Sequence, residues 1–212
     1  MIYLLKTTIE QIGWLLSYTP IHLIVIPFRY VLNHLYTGSF KRHFSKWGKN
    51  SIIQYKAKHL RGLKYVSVGC NTVIGTGVQL TAWDYYKNEK FEPEIIIGDN
   101  CIIREKAHST AINHIHIGSN LLTGTNVLST DNSHGATCGE VLELAPAQRT
   151  LCSKGPVNIG NNVWLGNNVC VMPGVTIGDG VVIGANSIVT HDIPSYSVAA
   201  GIPAQVIKQL KR

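Results

Sequence analysis

The sequence contains few cysteines and no pair of them at the spacing of a metal-binding or redox motif. The five cysteines stand at positions 70, 101, 138, 152 and 170, and no Cys-x-x-Cys occurs. An odd number of scattered cysteines suggests neither a disulfide framework nor a zinc ribbon. Free thiols indicate a reducing compartment, so we expect a cytoplasmic protein.

The sequence also lacks a long unbroken apolar run and the features of a secretion signal. Residues 12–28 contain no Asp, Glu, Lys or Arg, but this stretch is short and is broken by Pro20 and His22. A membrane-spanning helix needs about 20 apolar residues. The beginning of the chain has neither the basic start nor the small-residue cleavage site of a signal peptide. We therefore expect neither a transmembrane anchor nor a cleaved leader.

Acidic residues are fewer than basic ones. The chain of 212 residues has 19 Lys and Arg against 12 Asp and Glu, which gives a net charge of +7. This balance favours acidic partners such as phosphorylated cofactors, nucleic acid or anionic lipid, and it does not choose among them. The length is sufficient for one domain with a sizeable core and an appendage.

A strict repeat of six residues organises the stretch 157–192. It reads VNIGNN, VWLGNN, VCVMPG, VTIGDG, VVIGAN and SIVTHD. This period fits neither a helix nor a plain strand, but it fits a strand of about four residues followed by a corner. The first and third residues of each block then point inward. Gly, Asn and Asp suit the corner because they tolerate positive φ.

Three such strands close a triangular coil of eighteen residues, and coils must stack about 4.8 Å apart to bury their apolar faces. Similar blocks occupy 66–83, 95–112 and 115–132, with a partial coil near Ile52. The sequence thus predicts a helical segment over 1–50, a β-solenoid over 51–193 with loops at 84–94 and 133–156, and a tail over 194–212 that ends in a short basic helix.

The first fifty residues do not follow the repeat and predict two helices. The first has apolar residues at helical spacing, namely Ile2, Leu5, Ile9, Ile12 and Leu16, and the second is interrupted or kinked at Pro27. A basic run follows. Such helices either cap the solenoid or pack on a neighbouring subunit, or they lie on an anionic membrane surface at the inner face of the membrane. We favour the cap, because Glu10, His22 and Arg29 interrupt the apolar run.

The repeats resemble the hexapeptide-repeat acyltransferases, which fold as left-handed parallel β-helices. The resemblance covers about residues 95 to 208, through NIGNNVWLG, PGVTIGDG and AAGIPAQVIK. It is most specific to the galactoside and maltose O-acetyltransferases, whereas the N-terminal region looks more like that of acetyltransferases of cell-envelope polysaccharide synthesis. The implied fold is mostly β, a left-handed parallel β-helix with an N-terminal helical segment and a short C-terminal helix.

His134 is the candidate catalytic residue. It stands in STDNSHG at the base of the second loop, where the family places its catalytic histidine, and its spacing after the Ile-Gly at 117–118 matches the galactoside enzyme. A histidine can act as a general base that removes the proton from an attacking hydroxyl. Because a thioester is already activated, no covalent nucleophile is required. Asp131 is the candidate to orient the base, and Glu140 and Glu143 are the other nearby acids.

The resemblance also implies a donor and an acceptor site. Family members bind acetyl-CoA between neighbouring subunits of a homotrimer. The matching positions are Trp164, Asn167, Ala185, Thr190, His191 and Lys208. The implied acceptor positions are Arg104 and Asn132. Arg104 replaces a family asparagine and suits an acidic sugar or a nucleotide phosphate, or else it merely pairs with Glu105 or a neighbouring subunit. His191 replaces a lysine, which is a departure from the family.

The sequence therefore predicts an acetyl-CoA-dependent O-acetyltransferase that acts on a sugar hydroxyl in cell-surface polysaccharide synthesis. The alternatives are an N-acetyltransferase of an amino-sugar or nucleotide-sugar, and a non-catalytic scaffold. We expect no nucleic-acid partner and no metal. The γ-class carbonic anhydrases share this solenoid and bind zinc through three histidines, but the His-x-x-x-x-His pair of that family is not found around His108, His114 and His116.

Overall fold

The computed structural model describes residues 2–18, 22–135 and 139–210. Helices α1 (Ile2–Ser17) and α2 (His22–Phe40) come first. The following strands are β1 (Lys46–Trp47), β2 (Ile52–Ile53), β3 (His59–Arg61), β4 (Val66–Val68), β5 (Val73–Ile74), β6 (Gln79–Ala82), β7 (Tyr85–Tyr86), β8 (Glu89–Lys90), β9 (Glu94–Ile97), β10 (Ile102–Ile103), β11 (His108–Ala111) and β12 (His114–Ile117). The second half contains β13 (Leu122–Thr123), β14 (Leu128–Thr130), β15 (Ser133–His134), β16 (Leu151–Cys152), β17 (Val157–Ile159), β18 (Trp164–Leu165), β19 (Cys170–Val171), β20 (Thr176–Ile177), β21 (Val182–Ile183), β22 (Ile188–Val189), β23 (Ser197–Gly201) and β24 (Ala204–Gln209). Short 3₁₀ turns occupy Lys41–His43, Leu63–Tyr65, Gly139–Glu143 and Pro146–Gln148.

The strands form the three faces of a triangular prism. Face A consists of β1, β4, β9, β12, β17 and β20; face B of β2, β5, β10, β13, β18, β21, β23 and β24; and face C of β3, β6, β11, β14, β19 and β22. The chain visits A, B and C in turn, so it completes six coils whose strands pair in parallel. The predicted fold class, a left-handed parallel β-helix, is confirmed.

The core is a column of inward-facing aliphatic side chains along the axis of the prism. Within 157–192, the first and third residues of each block are buried as the repeat predicts, including the polar Ser187. Thr123 and Ser129, which interrupt the aliphatic pattern earlier in the chain, also point inward. Burial of apolar side chains stabilises the fold by about 25 cal/mol per Å². Because each coil contacts its neighbours only, this stabilisation accumulates along the stack.

Asparagine and glycine have different roles at the corners. Asn168 has φ of 58°, and its side-chain amide links Asn126 at 3.1 Å and Asn186 at 2.9 Å, so that corner asparagines form a ladder. Gly118 has no positive φ, but a Cβ added there would lie 2.7 Å from the backbone of Gly160 in the next coil. The prediction of positive φ is confirmed for the asparagines. It is wrong for glycines such as Gly118, which are needed because neighbouring coils approach closely.

The second half of α2 covers the first coil. Thr37 Oγ1 accepts the backbone N–H of Ile53 at 3.0 Å and donates to its carbonyl at 3.2 Å, while Asn33 Oδ1 accepts the N–H of Tyr55 at 2.8 Å. The helix continues through Pro27, so the predicted interruption does not occur. Neither of the two helices in the described part of the chain has the length and apolar character needed to cross a bilayer.

The two ends of the solenoid differ from the prediction. Its first coil begins at Lys46, where β1 pairs with β4, and not at residue 51. The predicted C-terminal helix is wrong, because Ala204–Gln209 is strand β24, which pairs antiparallel with β23. Without β24, the outer edge of β23 would be left unpaired, and pairing this edge outweighs the weak helix preference of the tail. Residues 211 and 212 lie outside the described part.

Candidate active site

His134 lies at the corner where the chain passes from face C to face A, after the fourth coil. The long loop leaves this corner as a two-stranded antiparallel ribbon, in which His134 on β15 pairs with Leu151 on β16. The imidazole is exposed to solvent. It therefore stands at the base of the second loop, as predicted, where a ligand can reach it.

The first loop reaches the same corner and meets His134. Its hairpin, β7–β8, brings the ring of Tyr86 to 5.7 Å from the imidazole, centroid to centroid, in an edge-to-face arrangement. Tyr86 in turn contacts Trp83 at 6.0 Å, and the guanidinium carbon of Arg61 lies 3.9 Å from the Trp83 ring centroid. The contact with Tyr86 was not predicted. The repeat indicates only that both loops leave the prism at one corner, because each follows the third block of a coil, and it does not show how far the first loop folds back.

The hairpin is held at its base by Asp84. Its carboxylate accepts a hydrogen bond from Tyr65 Oη at 3.0 Å and lies 3.1 Å from Lys64 Nζ. The bond from Lys64, followed by that from Tyr65, lowers the pKa of Asp84. Lys64 is exposed, but Tyr65 is partly buried against the core, so these contacts tie the start of the hairpin to the turn before β4.

Asp131 does not orient His134 in this structure. Its carboxylate is fully buried and accepts the backbone N–H groups of Ile112 at 2.9 Å and Asn113 at 2.8 Å, and the Asn132 amide at 3.1 Å. Burial raises the pKa of Asp131, and these hydrogen bonds oppose the shift. The side chain thus holds the corner of the preceding coil, where two extra residues are inserted. No carboxylate in the described part of the chain hydrogen-bonds to the imidazole; the exposed Glu143 makes no such bond, and the Glu140 side chain lies outside that part.

Asn132, predicted to bind the acceptor, is also engaged within the fold. Its amide nitrogen donates to the Thr110 carbonyl at 3.1 Å as well as to Asp131. Its backbone N–H donates to Thr130 Oγ1 at 3.2 Å. These bonds fix the turn that leads into His134. The structure therefore supports a positioning role for Asn132 more directly than a contact with the acceptor.

Three of the predicted donor positions share one groove. Trp164, Asn167 and Ala185 line a depression of about 340 Å³ at the corner between faces B and C. The Trp164 side chain is 53% exposed and is thus available to a ligand. Lys208 lies further along face B, on the strand that pairs with β23, so a long ligand that follows face B meets Trp164 first and Lys208 near its end.

The other two donor positions lie elsewhere. Thr190 and His191 follow β22 at the corner between faces C and A, the corner of His134, two coils further along the stack. Thr190 Oγ1 and His191 Nδ1 are 2.8 Å apart, and both side chains are exposed. The structure therefore divides the predicted donor residues between two corners of one chain.

Arg104 lies at the corner of the donor groove and not at that of His134. Its Nε is 3.3 Å from Glu105 Oε2, as the ion-pair alternative predicted, and its backbone N–H donates to Thr123 Oγ1 at 2.9 Å. The pKa of Glu105 is lowered, first by its own backbone N–H and then by Arg104. Since face C separates the two corners, Arg104 and the His134 of the same chain face different directions.

The histidines considered as metal ligands are dispersed. His116 points outward on face A, His114 Nδ1 lies 3.5 Å from Glu94 Oε2, and His108 lies on face C with its Nε2 3.4 Å from Thr81 Oγ1. Burial lowers the pKa of His108. Among the described side chains, no three potential metal ligands converge.

Comparison with known proteins identifies related sequences and folds. Residues 156–191 match a family model described as bacterial transferase hexapeptide (six repeats). The putative lipopolysaccharide biosynthesis O-acetyl transferase WbbJ of Escherichia coli (strain K12) is 36% identical over 155 residues, which is 71% of this chain and 75% of WbbJ. The galactoside O-acetyltransferase of the same organism is 38% identical over 129 residues, 54% of this chain and 63% of that enzyme.

Among solved structures, a mutant of AntD, an N-acyltransferase from Bacillus cereus in complex with dTDP and coenzyme A, superposes with a TM-score of 0.64. The match covers 79% of this chain and 85% of AntD at 22% sequence identity. At this identity the similarity shows a common fold.

Proposed function

The chain belongs to the hexapeptide-repeat transferases and is an acyltransferase, and from this we propose that it transfers an acetyl group from acetyl-CoA to a sugar hydroxyl. Two relatives above 35% identity, WbbJ and the galactoside enzyme, are named O-acetyltransferases. The first is named for lipopolysaccharide biosynthesis, which supports a role in cell-surface polysaccharide synthesis. The single observation that carries the proposal is the exposed His134 between two loops at one corner of the solenoid.

The proposed chemistry requires one base. His134 takes the proton from the acceptor hydroxyl as its oxygen attacks the thioester carbonyl, and the thiolate of coenzyme A leaves and is protonated. The protonated imidazole of His134 donates this proton to the thiolate. The ring of Tyr86 limits the rotation of the imidazole, and the ribbon β15–β16 fixes its backbone. No metal takes part in the proposed reaction.

The donor is proposed to lie along face B. Trp164, Asn167 and Ala185 would contact its pantetheine end, and Lys208 would meet a phosphate of coenzyme A as a point charge. Acetyl-CoA is the co-substrate that suits an O-acetyltransferase. An intracellular place of action follows from this donor and from the thiols of Cys70, Cys101, Cys152 and Cys170, which are all free.

We propose a homotrimer in which each site is shared by two chains. The donor groove and His134 lie at different corners of one prism, so one chain cannot bring them together. Face B also presents outward apolar side chains in register, namely Ile102 (46% exposed), Leu122 (41%) and Trp164, which suit contact with a second copy. A closed ring of three copies would place the groove of one chain beside the His134 corner of the next.

The proposal is tested by replacing the base. His134→Ala is expected to lower turnover by about 10²–10⁴-fold while the affinity for acetyl-CoA stays close to that of the wild type, because the imidazole acts on the acceptor. Turnover is measured by thiol release with a panel of sugars, and affinity by calorimetry with acetyl-CoA.

His116→Ala is the matched control, since it removes an exposed imidazole from face A. Turnover of His134→Ala close to the wild-type value would remove His134 from the mechanism. Mild alkali removes an acetyl ester and leaves an acetyl amide intact, so it distinguishes the two products. A preference for forming the amide would identify the acceptor as the amine of an amino-sugar. Absence of acetyl-CoA binding would favour a non-catalytic scaffold.

A further inference from the structure

Helix α2 presents an apolar stripe away from the solenoid. Phe28, Val31 and Leu35 are spaced by three and four residues and therefore share one side of the helix. They are 66%, 54% and 68% exposed. The opposite side, which includes Asn33 and Thr37, contacts the first coil. The helix is thus amphipathic with an apolar side that the described part of the chain leaves exposed.

Helix α1 has a similar stripe. Leu5, Ile9, Ile12 and Leu16 follow helical spacing, and each is at least 45% exposed. Its charged residues are Lys6 and Glu10, which pair with each other at 3.8 Å. The apolar side chains of α1 and α2 form an exposed area far larger than the scattered apolar residues of an ordinary surface.

Positive charge is concentrated at the same end of the molecule. Ten of the nineteen Lys and Arg residues precede residue 84, whereas Glu10 is the single acidic residue in that part of the sequence. Six of the cations lie on the first coil or in the turn before it: Lys41, Arg42, Lys46, Lys49, Lys56 and Lys58. Within the described residues, none of these six forms an ion pair with a carboxylate.

Some of these cations line an open groove between α2 and the first coil. The groove has a volume of about 900 Å³ and is lined by Lys41, Arg42 and Lys49, together with Tyr30 and Trp47. Cations beside aromatic rings suit the interfacial region of a bilayer, where lipid phosphates lie next to the start of the acyl chains.

We propose that α1, α2 and the first coil form a docking surface for an anionic lipid bilayer. The apolar stripes enter the boundary between headgroups and acyl chains, and the cations contact lipid phosphates. Charge complementarity favours an anionic bilayer over a second copy of the chain as the partner of this surface. A second copy of the chain would bring two uncompensated sets of cations together, and like charges repel. The proposal does not depend on the acyl-transfer reaction.

The test is sedimentation of the full chain with vesicles. Wild-type protein is expected to sediment with mixed phosphatidylglycerol–phosphatidylcholine vesicles and much less with phosphatidylcholine alone. The variant K41Q/R42Q/K49Q is expected to lower partition onto the anionic vesicles about 100-fold, since each cation near the surface contributes roughly a factor of five. Higher salt is expected to weaken binding of the wild type. F28S/V31S/L35S removes the α2 stripe and is expected to reduce binding to the same vesicles.

Two control variants make changes of the same kind elsewhere. K87Q/K90Q/K154Q removes three cations outside the first coil, and I202S/I207S removes two exposed apolar side chains near the C-terminus; both are expected to bind as the wild type does. Circular dichroism and sedimentation velocity check fold and assembly. The proposal is overturned if the wild type shows no preference for anionic vesicles, or if the α2 variant loses its assembly while its vesicle binding is unchanged. The latter result would identify the stripe as a contact between copies.

Discussion

At the scale of single residues, the corner of His134 shows how an exposed side chain is held without a carboxylate partner among the described side chains. The imidazole is confined by the ribbon that carries it and by the edge-to-face contact with Tyr86 at 5.7 Å. Asp131, one turn earlier, uses its carboxylate for backbone N–H groups of the preceding coil. The orientation of the imidazole therefore comes from packing and from the turn.

Tyr86→Ala is expected to lower kcat about three- to tenfold, with unchanged affinity for acetyl-CoA. An aromatic pair of this geometry contributes about 0.5–1.5 kcal/mol, and its loss leaves the imidazole free to adopt unproductive rotamers. Tyr86→Phe keeps the ring and is expected to restore most of kcat in the same thiol-release assay. Equal activities for the Ala and Phe variants would show that the ring does not position His134.

The candidate site was predictable where it depended on local sequence. The place of His134 at the base of a loop follows from the repeat, whereas its role and the donor positions Trp164, Asn167 and Ala185 are implied by the resemblance to the family. The structure places these three residues along one corner. The contact with Tyr86 was not predicted, because it joins residues 48 positions apart in two different loops (134 − 86), and block spacing does not show how far a loop folds back. The partners of Asp131 depend on an irregular corner that breaks the period.

At the scale of elements, the solenoid depends on how closely its coils stack. Corner asparagines hold the left-handed conformation and link coils through their side chains, as Asn168 does with Asn126 and Asn186. Corner glycines such as Gly118 leave room for the next coil. These two requirements explain why a block that ends in Gly-x-Asn recurs.

Gly118→Ala is expected to lower the free energy of unfolding by about 1–3 kcal/mol, because its Cβ would lie 2.7 Å from the backbone of Gly160 and a paired strand cannot move away. Gly38→Ala is the control. No atom lies within 4 Å of a Cβ added at this α2 position, so the change is expected to raise the free energy of unfolding by about 0.5–1 kcal/mol. Denaturant titrations measure both, and a stabilised Gly118→Ala would refute the stacking argument.

The fold could be predicted from the sequence where the period of six is regular. The prediction from the repeat was wrong at the two ends of the solenoid, where a coil has only one neighbour. The first coil keeps the corner residues of the repeat in Gly48-Lys49-Asn50, but its strand Lys46–Trp47 is not aliphatic, so the block was not predicted. Ala204–Gln209 pairs with β23 because that edge is otherwise open. Both are tertiary effects that override local preference.

At the scale of the whole molecule, the proposed trimer makes each site depend on two chains. This can be tested by mixing two inactive variants, His134→Ala and Trp164→Ala, after denaturation and refolding together. In mixed trimers, some sites combine an intact His134 with an intact Trp164. Random assembly from equal amounts is expected to restore about a quarter of wild-type activity.

The two variants refolded separately and then combined are the control, because preformed trimers exchange no chains. If the sites were built within single chains, the mixture refolded together would have no more activity than this control. In a second control, a chain that carries both changes is refolded together with the wild type. The activity of this mixture measures how far a defective neighbour lowers the activity of intact chains.

The position of His134 in the stack also fixes the distance between its imidazole and the first coil along the axis of the solenoid. Its corner belongs to the fourth coil, three coil spacings from the coil that carries Lys46. With about 4.8 Å per coil, the imidazole stands about 14 Å from the first coil along the axis. If the molecule docks as proposed, α2 lies between the first coil and the bilayer, and the imidazole stands at least this far above the headgroups. It would then reach a sugar carried several rings above the lipid phosphates and would not reach groups that lie directly at the membrane surface.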